Sequence, residues 1–210
     1  VTDAFAELVA PLFGRVVALQ QGFERGEHPA LEPVRAEVLA LLAEADARAA
    51  ADGHLARDFA LARAALVYWT DEVLINSSWS HAAEWGQHIL EWDLYRERLR
   101  ADRFYERAAE AERLAGTDPL ETFFLAVALG FRGRLALDPA ELRAWADRVY
   151  ARIAASRTQP ERFLPEEPRA GGSGLEPLPG KAMLLRTSVL VSVTAIVTLA
   201  CFLLSVHLGG

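Results

Sequence analysis

The chain has 210 residues, a formal net charge of −7, 52% apolar residues and one cysteine, Cys201, which excludes an intramolecular disulfide scaffold and a cysteine-rich zinc site. Lys181 and Arg186 are the only basic residues after position 180, where no acid occurs, so residues 1–180 carry 20 basic and 29 acidic side chains, a net −9. Such a surface repels phosphate backbones and anionic head groups at long range, which argues against nucleic-acid binding and favours protein partners with basic faces.

Residues 1–158 show helical periodicity with few β-branched runs, which predicts an all-α domain. Phe5, Leu8, Val9, Leu12, Phe13 and Val16 form one apolar stripe on a first helix running to about Phe23, where Gly22, Gly26 and Pro29 break the chain. Leu31, Val34, Val38, Leu41, Leu42 and Ala45 predict a second helix ending near Gly53. The third, from about His54 to Asn76, is apolar on two sides: Leu55, Phe59, Ala62, Leu66, Trp69 and Val73 on one, Leu61, Ala65, Tyr68 and Ile75 on the other. A helix patterned in this way belongs in the middle of a bundle. Glu72 falls within its second stripe and Asp71 at the edge, so each carboxylate must be paired, protonated or open to a cleft. Helices are expected next at about 82–98 and 103–114. Asp118-Pro119 and Asp138-Pro139, each followed by an acid at the third helical position, predict capped helices over about 119–131 and 139–156.

From Gln159 the composition turns to proline and glycine, including Pro160, Pro165, Pro168, Gly171, Gly172 and Gly174, which reads as a tether over 159–187. The glycines lack the Lys-Ser/Thr ending of a phosphate loop. Residues 188–208 contain no Asp, Glu, Lys, Arg, Gly or Pro, and about twenty such residues cross a hydrocarbon core. With Lys181 and Arg186 just before this span, the basic-flank rule keeps the N-terminal side in the cytoplasm, so a single-pass tail anchor is expected. No signal-peptide pattern opens the chain. Ser188 and Ser192 form a weak small-xxx-small pair, whose plainer reading is ordinary lipid-facing sequence and whose sharper one is self-association.

Asp71-Glu72, Ile75-Asn76 and Trp79 make a D-E-x-x-I-N-x-x-W pattern, followed by Trp85, Leu90-Glu91, Arg103-Phe104-Tyr105, Phe123-Phe124 and Gly130-Phe131-Arg132-Gly133-Arg134. Over roughly residues 5–153, and in the placement of its anchor, the chain resembles the DotU/TssL family. The resemblance implies an inner-membrane component of a bacterial type VI secretion apparatus, or of the related type IVB machine. It implies two small helical bundles side by side in the cytoplasm, and a scaffold that joins a TssM/IcmF-like partner and recruits baseplate proteins without catalysis. Two features depart from the family pattern. Ala101-Asp102 stands where a Gly-Gly pair is usual, so the local turn is expected to differ. No peptidoglycan-binding domain follows the anchor, so wall attachment is expected from another subunit.

The candidate partner contact is a cleft edge formed by Asp71, Glu72, Asn76 and Trp79 with Trp85 nearby, where a cationic side chain satisfies Glu72 and Trp79 supplies apolar area. The plainer reading pairs Asp71 and Glu72 internally with Arg132 or Arg134 and buries the tryptophans. The competing functional reading is a tail-anchored metal-dependent or regulatory enzyme using His81, Glu84 and His88 on one helix face, although HExxH is absent and a solvated face is the commoner meaning. Asp71 and Glu72, about 100° apart on a helix, do not aim at one substrate as acid and base. No nucleophile motif or nucleotide loop occurs, and no cofactor is expected. Arg96, Arg98, Arg100 and Arg103, interleaved with acids, read as a mixed solvated face.

Overall fold

Helix α3 (Gly53–Ile75) carries the fold because its sequence is apolar around most of its circumference. From Ala62 to Leu74 nearly every residue is buried, including Leu66, Trp69 and Leu74, all fully inaccessible. Helices α1 (Asp3–Glu24) and α2 (Leu31–Ala49) pack together and against α3. Helices α6 (Arg100–Ala111) and α7 (Asp118–Ala128) cover α3 elsewhere, with α8 (Pro139–Arg157) laid on α7. Short α4 (Ala82–Gln87) and α5 (Leu90–Tyr95) also pack on α3. Two helical groups therefore share α3 as a common member. These elements come from a computed structural model that describes residues 1–157, among which there is no strand. The tether and the span expected at 159–187 and 188–208 lie outside the described residues, and no described helix is long and apolar enough to cross a membrane.

Local chemistry explains the helix ends. Asp52 caps α3 by accepting from His54 N at 2.7 Å and Leu55 N at 3.2 Å, and these backbone bonds hold its carboxyl below the ordinary range. Asp138 caps α8 through Glu141 N at 2.8 Å, as its sequence pattern predicts. Asp118 does not act as the expected cap. It lies in the first turn of α7, and its carboxylate instead accepts from Thr2 N at 2.8 Å and Thr2 Oγ1 at 2.6 Å, tying the start of α1 to α7. Pro11 sits inside α1 and cannot donate to Glu7 O. Arg48 of α2 reaches that carbonyl at 3.4 Å while its other terminal nitrogen binds the Glu7 carboxylate at 2.6 Å.

The single helix expected over about 82–98 is two helices, broken at His88 and Ile89, and the next begins at Arg100 rather than near 103. The break has a tertiary cause described below. Helix α5 ends on Arg96, which has φ 58° and ψ 30° and is the one non-glycine residue with positive φ among those described. A side chain in this left-handed conformation meets its own carbonyl, a cost glycine avoids. Arg96→Gly is therefore expected to raise stability by about 0.5–1 kcal/mol, read as a higher denaturant midpoint with an unchanged slope.

Candidate functional site

Asp71 and Glu72 are consecutive on α3, so their side chains leave the helix in directions about 100° apart and reach different segments of chain. Asp71 is fully inaccessible. Its Oδ1 accepts from the Trp85 indole Nε1 and from Leu90 N, both at 2.9 Å, and its Oδ2 accepts from Glu91 N at 2.8 Å. Leu90 and Glu91 open α5, so a carboxylate from a distant helix satisfies first-turn N–H groups that α5 leaves unpaired. This capture is what divides 82–98 into two helices.

Glu72 turns the other way and is partly exposed. Its Oε1 accepts from Arg132 N at 2.6 Å and Gly133 N at 3.0 Å, in the loop that leaves α7. The Tyr105 hydroxyl donates to Arg132 O at 2.7 Å and holds the same loop from α6. Gly133 has φ 52°, and a Cβ there would lie 2.8 Å from Ala101 O and 2.8 Å from the Phe131 ring, so only glycine fits. Ala101-Asp102, the departure from the usual Gly-Gly, lies in the first turn of α6, and the close approach at that point is supplied by Gly133 across the contact.

A third carboxylate, Glu91, continues the arrangement. It is fully inaccessible, and its Oε1 accepts from Leu99 N at 2.5 Å just before α6. Arg100 Nη1 stands 3.7 Å from its Oε2. In the sequence Glu91 stands out only within the family pattern. Arg35 has no signal of its own there, yet its guanidinium donates to His88 O and to the Asp93 carboxylate and lies 5.4 Å over the Trp85 ring, fastening the same segment to α2.

The candidate contact residues divide into two sets. Asp71, Trp79 and Trp85 are inside, at 0%, 3% and 0% exposure. Trp79 stacks on Phe23 with centroids 5.3 Å apart and donates its indole N–H to Pro29 O at 2.9 Å, and Trp85 gives its own to Asp71. The direct contact expected of Trp79 and Asp71 is thus not open to a partner, because their apolar area and polar atoms are used within the fold. Glu72 and the exposed Asn76, whose Nδ2 donates to Glu72 O at 2.8 Å, are the two of the five that reach the surface. The internal pairing also differs from the guanidinium pairing considered for it. Glu72 binds backbone N–H groups, while the Arg132 guanidinium donates to Val127 O and Phe131 O, both at 2.8 Å, and Arg134 lies 5.3 Å over the Tyr105 ring.

The histidine face is not assembled. His81 precedes α4 and binds Glu84 through Nδ1 at 2.9 Å, but α4 ends at Gln87, leaving His88 outside it at φ −124° and ψ 51°. Among the described residues no three acids, histidines or cysteines are placed to hold a metal. A groove of about 460 Å³ between α3 and α6 is lined by Leu61, Tyr68, Tyr95 and Leu114. Burial pushes both of its phenols above their ordinary range, which keeps them neutral.

The family model described as Type VI secretion system protein DotU matches residues 4–208. The chain belongs to the DotU family. Its DotU-type pattern around Asp71 and Glu72 is therefore the same stretch that binds α5 and the Arg132 loop to α3. No curated protein matches the chain. Among solved structures, the cytoplasmic domain of TssL from Acinetobacter baumannii is similar at 21% identity and a TM-score of 0.64, covering 72% of this chain and 98% of that one. At that identity the likeness is one of fold.

Burial pushes the carboxyls of Asp71 and Glu91 above their ordinary values of 3.8 and 4.5, against the pull of their N–H donors and of Arg100. Above those ordinary values the unfolded chain has released both protons while the fold retains them, so stability falls as pH rises through the raised values. Asp71→Asn, which cannot ionise, is expected to flatten that slope in denaturant midpoints measured from about pH 4 to 8; an unchanged slope assigns the effect elsewhere. Asp71→Ala leaves three buried donors unpaired and is expected to cost about 3–5 kcal/mol.

Proposed function

We propose that this chain is a structural scaffold subunit of a type VI secretion membrane complex. It is held in the bacterial inner membrane by residues 188–208, with residues 1–158 in the cytoplasm, where they bind a TssM/IcmF-like protein and recruit baseplate proteins. The observation that carries this reading is the extent of the family match, 4–208, which runs through the Pro/Gly-rich stretch and the uncharged apolar segment as well as the helical domain. The internal chemistry supports it. The buried Asp71 and Glu91 accept from backbone N–H groups and, for Asp71, from the Trp85 indole, and the buried Glu121 is paired with the N-terminal ammonium and the Thr117 hydroxyl. Such an arrangement stiffens irregular segments and suits a docking surface better than turnover. A domain tethered to a bilayer also meets a second anchored chain at high effective concentration.

The contact face is proposed to be the surface carrying Glu72 and Asn76, with Asp71, Trp79 and Trp85 shaping it from beneath. Glu72→Arg does not separate binding from folding, because it removes the acceptor of Arg132 N and Gly133 N. Asn76→Arg is the cleaner change, since Asn76 is exposed and its side chain bonds only the carbonyl one turn back. In membranes solubilised with mild detergent, Asn76→Arg is expected to reduce recovery of the large membrane partner about tenfold, a loss of about 1.4 kcal/mol, with the unfolding midpoint unchanged. Unaltered recovery removes this face from the interface. Carbonate-resistant membrane retention, with the bulk of the chain protected from protease added outside the cell, tests the anchored topology. Extraction by carbonate or digestion from outside defeats it.

A further inference from the structure

From the surface around α5 we infer a second role for the domain: it docks on the anionic lipid surface of the bilayer through Trp92, Leu99, Arg96 and Arg98. Trp92 and Leu99 are 43% and 51% exposed, unusual for side chains of their size here. The Arg98 guanidinium lies 5.8 Å over the Trp92 ring, and Arg96 N bonds Trp92 O at 2.9 Å, which brings these three residues together, with Leu99 the next residue in the chain after Arg98. Sequence pattern makes this a mixed face, but the fold sorts its charges. Asp93 is taken by Arg35, Glu91 faces Arg100, Glu97 binds Arg103 at 3.2 Å, and Asp102 faces Arg134 at 3.8 Å.

Asp93 and Asp102 stay exposed within their pairs, and the arginines left without an acid among the described residues are Arg96 and Arg98, beside the exposed indole. Among the described residues, Arg98 donates to Gln87 O at 3.2 Å and is in no ion pair, and the Arg96 side chain has no partner. Arg96 is moreover held in the left-handed region where glycine is the unstrained choice. Indole beside guanidinium, with an exposed leucine, is the composition that settles at a head-group boundary, the rings entering it and the cations meeting phosphate. The net charge of −9 opposes this, but screening limits the opposition at physiological salt to acids within about 8 Å of the lipid surface, and the acids nearest the patch are paired with arginines. The inference rests on the anchored reading for its partner, since the bilayer is then the surface at highest local concentration.

The test uses the intact chain in vesicles of brominated phosphatidylcholine, with or without about one-third phosphatidylglycerol. The other four tryptophans are at most 6% exposed, so contact quenching by brominated acyl chains reports Trp92. Quenching is expected with phosphatidylglycerol and lost in Trp92→Phe. Arg98→Gln and Arg96→Gly, the latter expected to fold at least as stably, should each reduce the docked-to-free ratio about fivefold. Equal accessibility of Trp92 to acrylamide in both vesicle types overturns the inference. So does protection that appears only when a second protein is added, which assigns the patch to a protein contact. Carbonate extraction reads the anchor separately: a chain that carbonate strips from the vesicles defeats the anchored topology, and quenching measured before extraction still decides the patch.

Discussion

Two consecutive carboxylates on a buried helix cannot point the same way, and the domain is built around that constraint. Asp71 turns to the start of α5 and Glu72 to the loop after α7, so one turn of α3 fixes two segments that have little regular structure of their own. Glu91, itself placed by Asp71, then receives Leu99 N and sets the start of α6. The order of dependence runs outward from α3. Removing its first member releases the next.

The arrangement depends on hydrogen bonds more than on ion pairs. A buried carboxylate without a close cation is costly unless donors surround it, and Asp71 has three N–H donors at 2.8 to 2.9 Å. The tryptophans follow the same economy, since Trp69, Trp79 and Trp85 each bury a ring and give the indole N–H to an oxygen of another segment. Aromatic contacts continue the wall, as where Phe104 stacks on Phe131 with centroids 3.8 Å apart beneath the Arg132 loop. The result is a domain in which the start of α5 and the Arg132 loop are tied by hydrogen bonds to the buried α3.

Charge sorting connects the interior to the surface. Because Arg35, Arg100 and Arg103 are drawn to acids of the α4–α6 region, that region exposes arginines without acids of their own beside an exposed indole. An acidic chain thereby places two arginines that have no acid partner among the described residues beside an exposed tryptophan. Neither net charge nor the order of residues along the chain reveals it, since Glu97 and Asp102 stand between these arginines in sequence and pair elsewhere in space.

Periodicity and composition by themselves determined the all-helical class, the central position of α3 and the approximate span of its neighbours, because apolar spacing reflects which faces must leave water. The D-E-x-x-I-N-x-x-W pattern pointed to the DotU/TssL family that the match over 4–208 establishes. The Asp138 cap was legible because a cap is a local bond; the similar Asp118 was not, because Thr2 claims its carboxylate from a distance of 116 residues. Only the tertiary structure decided that Asp71, Trp79 and Trp85 are internal, that 82–98 is two helices, and that Glu72 and Asn76 alone of the five candidates reach solvent. The physical reason is common to all of these: each depends on which donors, acceptors and rings distant segments bring within reach of a side chain, and that is a property of packed segments, invisible in the spacing of residues along one chain.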